Sequence, residues 1–377
     1  MKKTIAMLLV LVMVCSLFAS CGAEPEAPAE QVEKFKIGFA YLPDSDALSA
    51  EFHRALDYAA ESFGCEMVYY DLTAYDIEAI QAAFENLVQQ GCDGLIDCVG
   101  MSASTAEQML EKGIYLSMPG GYSEEMYNVC NGSEYFAGFG MVTSEGASLN
   151  YELGYSVMKA FAEKGLKNVA YMGSPPGWEA GDELVRGYEE GIRDFGLNLV
   201  TSYLGYDTAT GAADIIASYG AELDAIASNG QNDPLVAAVV NSGYDIKIGL
   251  SGSCTDQAAL MESGVVVVAG TGNFTSVSMA FVQLYNAMSG GDVLFADTHM
   301  YDLPPYLLLT SATELEAYEK CCQGDIPGYS ADELKRLTST FNPDATVEEK
   351  EALYKEYCTS EYFNIKKIAE RQGVAID

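Results

Sequence analysis

An apolar run, Lys36-Ile37-Gly38-Phe39-Ala40-Tyr41, is followed by residues 50–63, whose apolar side chains recur at helical spacing until Gly64. A short apolar run followed by an amphipathic segment and a glycine indicates a strand and then a helix. The same order recurs along the chain. The predicted strands are 66–70, 94–99 and 114–117, then 168–172, 199–203, 225–228, 247–250 and 265–269, with helices between them. Strands that alternate with helices predict mainly parallel, doubly wound sheets, here in two series and therefore in two α/β lobes.

The last part of the chain, residues 311–377, has a different pattern. Thr313-Glu316, Ser330-Glu333 and Thr346-Glu349 each place Ser or Thr three residues before Glu. This spacing is the capping box that begins a helix, so three successive helices are predicted. We expect this helical extension to pack on the C-terminal lobe.

The first residues resemble an export signal. Lys2 and Lys3 precede an apolar run at residues 5–18, and Leu17-Phe18-Ala19-Ser20-Cys21 matches the box that precedes a lipid-modified cysteine. Residues 1–20 are therefore predicted to be a cleaved signal peptide, with lipid on Cys21 anchoring the protein to the outer face of the membrane. An ordinary secretory signal with an incidental cysteine is the alternative. Residues 21–34 contain mostly Ala, Glu and Pro and predict a flexible leash.

Composition limits the partners. The 377 residues include 20 Lys and Arg against 55 Asp and Glu, which gives a formal charge of -35. Such a surface repels nucleic acid phosphates, so no nucleic acid partner is expected. The acidic residues are scattered rather than gathered in a tail, which is typical of a solvated surface.

The cysteines and histidines give little sign of a metal or a cofactor. None of the ten cysteines forms a C-x-x-C motif, and His53 and His299 are the only histidines. We expect most cysteines outside the signal to be small buried side chains. A disulfide between Cys358 and either Cys321 or Cys322 is the one pairing that remains open.

No catalytic motif is present. Gly249-Leu250-Ser251-Gly252-Ser253 lacks the last glycine of a nucleophile elbow, and no dinucleotide or phosphate loop follows the first strand. The chain is therefore predicted to bind rather than to transform its ligand.

Three stretches resemble the type I periplasmic-binding-protein family, the solute-binding subunits of ribose-type and other sugar ABC importers. They are residues 36–39, residues 87–96, which are similar to the family's n-l-i-x-x-g-x-D-g-i-i run, and Gln231-Asn232-Asp233. The resemblance covers residues 36 to about 305. It implies two lobes joined by a three-segment hinge, with residues 35–140 and 273–300 in the N-terminal lobe and residues 141–272 and 301–310 in the C-terminal lobe. It also implies a monomer that binds a small molecule and delivers it to an ABC transporter permease.

The resemblance also implies a ligand site. Tyr206 and Asn232 match the aromatic ring and the amide that contact the sugar, while Ser251 stands where the family has Asp, and the family's Asp-Arg pair is replaced by Met118-Pro119-Gly120. Aromatic and polar residues of other loops complete the predicted set. The predicted ligand-binding residues are Tyr41, Asp46, Trp178, Tyr206, Asn232, Asp233, Ser251 and Asn273.

Aromatic rings cover the apolar face of a ring-shaped ligand, and amides and hydroxyls fix its polar edge. Without the charged pair, the expected ligand is neutral: a sugar or a sugar derivative, with a nucleoside as the alternative. A sensor that presents its ligand to a receptor would use the same fold and site, so import and sensing both stay open.

Overall fold

The computed structural model describes residues 34–43, 47–74, 76–120, 122–142, 148–177, 179–205 and 207–376. These residues, from Phe35 onward, belong to one compact unit. The predicted signal peptide, Cys21 and nearly all of the predicted leash lie outside the described residues. Within the described part of the chain, no helix combines the length and apolar character needed to cross a membrane.

The described residues form twelve strands and fourteen helices. The strands are β1 (Lys36–Tyr41), β2 (Glu66–Asp71), β3 (Gly94–Ile96), β4 (Tyr115–Met118), β5 (Phe136–Val142), β6 (Asn168–Gly173), β7 (Asn198–Leu204), β8 (Ala225–Ala227), β9 (Lys247–Ser251), β10 (Val266–Thr271), β11 (Met300–Asp302) and β12 (Leu307–Leu309). The helices are α1 (Ala47–Phe63), α2 (Ile77–Gln89), α3 (Ala103–Glu111), α4 (Glu124–Cys130), α5 (Leu149–Glu163), α6 (Glu179–Asp194), α7 (Thr208–Tyr219), α8 (Asn232–Ser242), α9 (Gln257–Glu262), α10 (Thr275–Met288), α11 (Ala312–Cys322), α12 (Ala331–Arg336), α13 (Val347–Tyr357) and α14 (Ile365–Gln372).

The strands form two six-stranded sheets. The first has the order β11-β5-β4-β3-β1-β2, and all its pairs are parallel. The second has the order β12-β10-β9-β8-β6-β7, in which β12 is antiparallel to β10 and the other pairs are parallel. We call the sheets with their helices the first and second lobes. This architecture confirms the predicted α/β fold class.

The chain passes between the lobes in three short segments before residue 310. They are residues 143–148 between β5 and α5, residues 272–274 between β10 and α10, and residues 303–306 between β11 and β12. One small cavity is bordered by Leu149, Asn273 and Pro304. Leu149 directly follows the first crossing, and the other two residues lie in the second and third crossings. The described residues next to or within the three crossings therefore lie close together.

The predicted lobe boundaries need a small correction. Strand β11 pairs with β5, so Tyr301 and Asp302 belong to the first sheet rather than to the second lobe, and β5 itself runs to Val142. Strand β3 is also shorter than the predicted 94–99, because the chain turns at Asp97, whose carboxylate accepts hydrogen bonds from the next loop.

The extension packs mainly on the first lobe, which corrects the prediction that it lies on the second. Asn286 of α10 bonds to the backbone of Leu337 at 3.1 Å, and the Phe341 ring stacks on Tyr285 at 6.0 Å. Helix α12 packs on α1, and α11 packs on α9 and β12 of the second lobe. The extension covers the outer face of α10, and every residue of that helix is buried. The capping pattern of the extension could not show which lobe left an apolar face uncovered.

Two of the three predicted capping boxes are confirmed. Ser330 with Glu333 begins α12, and Thr346 with Glu349 begins α13, each with both reciprocal hydrogen bonds. The box predicted at Thr313 is wrong, because Ser311 caps α11 by accepting from the Glu314 backbone N–H. A fourth helix of the extension, α14, was not predicted.

The cysteines of the described residues are free thiols. The disulfide left open between Cys358 and Cys321 or Cys322 is not formed, although all three are buried. Burial raises the pKa of the Cys358 thiol well above its usual range, and that thiol lies 3.5 Å from the Asp302 carbonyl oxygen. The described residues hold no cluster of three or more His, Cys, Asp or Glu arranged for a metal ion.

Candidate ligand-binding site

The loops at the carboxyl ends of the strands lie next to the hinge. Each crossing leaves a strand at its carboxyl end, after Val142 of β5, Thr271 of β10 and Asp302 of β11. Two of these strands belong to the first sheet and one to the second, so the carboxyl edges of both sheets border one gap. Ligands of parallel α/β sheets bind outside this edge. We call the gap the cleft and take it as the candidate site.

No loop at the carboxyl end of a strand carries a basic side chain. Neither Lys, Arg nor His occurs in residues 42–46, 72–75, 97–102, 119–123, 143–148, 174–178, 205–207, 228–231, 252–256 or 272–274. Arg186, in α6, is held by Glu183 at 2.6 Å and lies over the Tyr151 ring. A carboxylate or phosphate ligand would therefore find no cation in these loops, whereas a neutral ligand needs none.

Asn232 holds two loops of the second lobe together. Its side chain is 4% exposed, and its Nδ2 donates to the carbonyl oxygens of Ser251 at 2.9 Å and Ser253 at 2.7 Å. Its Oδ1 accepts from the Ser228 hydroxyl at 2.5 Å. Both amide protons are therefore used inside the protein. In this structure Asn232 fixes the loops after β8 and β9, rather than offering its amide protons to a ligand.

Asp233 serves the same framework. Its carboxylate accepts from the Thr255 backbone N–H at 2.8 Å and from the Thr255 hydroxyl at 3.0 Å. This pairing holds the loop after β9 against the start of α8. The two predicted contacts Asn232 and Asp233 thus belong to one network that orders the cleft-facing loops of the second lobe.

Ser251 presents an acceptor at the same place. The buried Tyr188 hydroxyl donates to the Ser228 carbonyl oxygen at 2.6 Å. The Ser251 hydroxyl oxygen lies 3.3 Å from the Tyr188 hydroxyl oxygen. Because the single Tyr188 proton is used, Ser251 is the donor in the second bond, and its own lone pairs remain for another partner. Burial raises the pKa of Tyr188, which keeps this hydroxyl protonated. The half-buried Ser251 oxygen can accept a hydroxyl proton from a ligand.

Two further predicted residues lie at other points of the cleft. Tyr41, the last residue of β1, is half-buried, and its ring packs on Phe39 at 5.9 Å and Phe52 at 4.9 Å between centroids. Asn273 lies in the second crossing, where its backbone carbonyl accepts from the Ser276 hydroxyl at 2.7 Å. Tyr41 is thus on the first lobe and Asn273 in the hinge, apart from the network around Asn232.

Asp46, Trp178 and Tyr206 lie outside the described residues, so their roles stay predictions. The chain beside two of them is well defined. The Asp207 carboxylate caps α7 by accepting from the Thr210 N–H at 3.0 Å, and Asp182 accepts from the Gly177 N–H at 3.0 Å. These bonds fix the residues next to Tyr206 and Trp178.

The sequence analysis missed Asp97, which orders a cleft-facing loop of the first lobe. Its side chain is 3% exposed and accepts from the backbone N–H groups of Val99, Gly100 and Met101 at 2.9 to 3.0 Å. Burial raises the pKa of this carboxyl, and the three N–H groups oppose that shift. The sequence contains a signal for this loop, an aspartate directly after a buried strand and three residues before Gly100. An Asp side chain at such a turn accepts a hydrogen bond from the backbone N–H two residues later.

Comparison with known proteins gives the fold. A periplasmic sugar-binding protein from Pseudomonas fluorescens has a TM-score of 0.63 at 13% identity, over 88% of this chain and 99% of that one. An ABC transporter periplasmic solute-binding protein from Actinobacillus succinogenes, with bound D-allose, has a TM-score of 0.62 at 14% identity, over 73% and 97%. The Caulobacter myo-inositol binding protein, bound to myo-inositol, has a TM-score of 0.57 at 15% identity, over 75% and 95%. No protein-family model and no curated protein matches the sequence.

The chain therefore has the type I periplasmic-binding fold, in which two α/β lobes flank a hinge. At these identities the likeness establishes the architecture, while the ligand depends on the chain's own loops.

Proposed function

We propose that this protein is an extracytoplasmic solute-binding lipoprotein of an ABC importer, and that it captures a neutral sugar or sugar derivative between its lobes. The observation that carries the proposal is the absence of Lys, Arg and His from every loop at the carboxyl ends of the strands. A buried charged ligand needs an opposite charge, whereas a polyol needs only hydrogen-bonding groups.

The second lobe supplies a fixed polar surface for such a ligand. Asn232 and Asp233 order its loops, and Ser251 offers a free lone pair. Trp178 and Tyr206 follow strands β6 and β7, and in the proposal their rings cover the apolar face of the sugar. Tyr41 is the corresponding ring on the first lobe.

Capture then follows from hinge closure. A ligand that contacts both lobes stabilises the closed arrangement by its differential affinity for that arrangement. The proposal includes no chemical step, and it places the protein on the outer face of the membrane through lipid on Cys21. The partner is an ABC transporter permease that accepts the closed, loaded form.

A thermal-shift screen tests the ligand class. Purified protein is heated with neutral monosaccharides and inositols, with nucleosides, and with charged amino acids and sugar acids. We expect stabilisation by one or more of the neutral sugars or polyols. Stabilisation by nucleosides alone would favour the alternative ligand, and stabilisation by charged compounds alone would contradict the proposal.

Lipid attachment is tested separately by mass spectrometry of the membrane fraction. We expect a mature N-terminus at Cys21 that carries a diacylglycerol thioether, and release of the protein into the soluble fraction in a Cys21→Ala variant. An unmodified N-terminus elsewhere would remove the anchor from the proposal and leave the binding site untouched.

A further inference from the structure

The chain passes between the lobes a fourth time, after the three crossings of the hinge. Helix α11 begins three residues after β12, which lies in the second sheet, and it packs on α9 and β12 of the second lobe. The next helix, α12, packs on α1 of the first lobe, where the Ala331 N–H donates to the Tyr58 hydroxyl at 2.9 Å. Unlike the three loop crossings, this connection is a helix with its own side-chain contacts to both lobes.

Tyr318 is the point where the two lobes and α11 meet. Its side chain is 1% exposed, and its hydroxyl donates to Glu51 Oε1 of α1 in the first lobe at 2.8 Å. Its ring centroid lies 6.4 Å from that of Phe274, in the second crossing between the lobes. Tyr318 thus contacts the second crossing through its ring and a carboxylate of the first lobe through its hydroxyl.

A second bond strengthens this joint. Gln323 Nε2, directly after α11, donates to the same Glu51 oxygen at 2.7 Å. Glu51 is 5% exposed, so its carboxylate depends on these protein donors more than a solvated carboxylate would. Movement of the first lobe away from α11 would break both bonds and leave a buried acceptor with fewer partners.

The helix also lies beside the cleft-facing loops. A cavity of about 280 Å³ separates it from the loop after β9 and is bordered by Ser253, Gln257, Glu319 and Gln323. The same loop is tied to Asn232 through Ser253. Helix α11 also packs on α9, the helix that follows this loop, so it contacts the segment that continues from the candidate site.

We infer that α11 is a fourth connection between the lobes that limits how far they open, with the Tyr318 hydroxyl as its joint. The free protein should therefore sample a narrower range of lobe angles than a variant in which this connection is broken. The inference does not depend on which ligand the cleft binds.

The test compares two buried tyrosines that each lose only a hydroxyl. Tyr318→Phe removes the joint between lobes, whereas Tyr329→Phe removes a bond to the Tyr357 carbonyl oxygen within the extension, at 2.7 Å. Hydrogen exchange of ligand-free protein is followed at residues 269–275 and across α11. We expect exchange there to rise about tenfold in Tyr318→Phe, as for loss of one buried hydrogen bond, and to stay unchanged in Tyr329→Phe. Small-angle scattering should show a larger maximum dimension for Tyr318→Phe alone.

Equal exchange and equal scattering in the two variants would overturn the inference, because Tyr318 would then be an ordinary packing residue. If Tyr318→Phe does not fold, Gln323→Ala carries the same test, since that side chain is only half-buried and bonds the same Glu51 oxygen. A Gln323→Ala protein with wild-type exchange at residues 269–275 would then count against the joint.

Discussion

The two lobes order their cleft-facing loops in different ways. In the second lobe, Asn232 and Asp233 tie the loops after β8 and β9 to each other through side chains from different elements. In the first lobe, Asp97 folds a single loop onto itself by accepting three N–H groups from residues that follow it directly. In the second lobe, side-chain hydrogen bonds therefore join two different loops, whereas in the first lobe they lie within a single loop.

This difference shows which groups remain for a ligand. The amide of Asn232 and the carboxylates of Asp233 and Asp97 are used by the framework. Ser251 keeps a lone pair, and the aromatic residues after β6 and β7 are the remaining candidates. In this structure the Asn232 amide and the Asp233 carboxylate, both predicted ligand contacts, bond to the protein itself.

The largest expected effect comes from breaking the network of the second lobe. Asn232→Ala leaves two half-buried carbonyl oxygens without their amide donor and the Ser228 hydroxyl proton without its acceptor, so the free energy of unfolding should fall by about 3 kcal/mol. Denaturant unfolding of wild type and variant measures this loss of unfolding free energy. Asn229→Ala is the control, since its half-exposed side chain makes only two contacts of 3.3 Å and should cost less than about 1 kcal/mol. Equal losses in the two variants would show that Asn232 is not the centre of the network.

A smaller effect is expected from a variant that removes a ligand contact without destabilising the loops. Ser251→Ala removes the free acceptor, so affinity for a stabilising sugar should fall about fivefold, or about 1 kcal/mol, with little change in unfolding free energy. Thr255→Val is the matched control, because it deletes an exposed hydroxyl of the same loop that bonds only to Asp233. Titration calorimetry measures the affinity of both variants for the sugar. Unchanged affinity in Ser251→Ala would exclude this hydroxyl from the site.

The smallest effect concerns the capped loop of the first lobe and depends on pH. Burial raises the pKa of Asp97, so the folded state holds this proton more tightly than the unfolded state does. The stability that this group contributes is present below its unfolded pKa of about 3.8 and is lost as the pH rises through the folded value. Wild type should therefore lose unfolding free energy relative to Asp97→Asn between about pH 4 and pH 7.

Denaturant unfolding of both proteins across that range provides the measurement. A wild type that instead gains stability over Asp97→Asn with rising pH would mean that the three N–H donors outweigh burial. In that case the Asp97 carboxylate would be stabilised in its charged form, as in an ordinary exposed Asx turn.

Much of the fold follows from the sequence because strand and helix periodicity is local. Runs such as residues 36–41 predict nine of the twelve described strands, and the boxes at Ser330 and Thr346 locate two helices, whereas β5, β11 and β12 were not predicted. The side on which the extension packs could not be predicted, because helical spacing shows an apolar face but not the surface that covers it.

The candidate site was less predictable for a similar reason. The type of residue 232 indicates that its amide forms hydrogen bonds, but only the fold brings Ser228, Ser251 and Ser253 within reach of it. Tyr188 is 63 residues from Ser251, and no spacing rule connects them. Asp97 was missed because an aspartate near a glycine is typical of many loops, and only the fold shows that this carboxylate is buried and accepts three backbone N–H groups.

Small-angle scattering with and without a stabilising neutral sugar tests most directly whether one ligand is held between the two lobes. At a hundred times its dissociation constant such a ligand should add about 2.7 kcal/mol to stability, and the radius of gyration should fall as the lobes close on it. A ligand that binds with the same affinity but leaves the scattering curve unchanged would be bound by one lobe alone, which would contradict capture between the lobes.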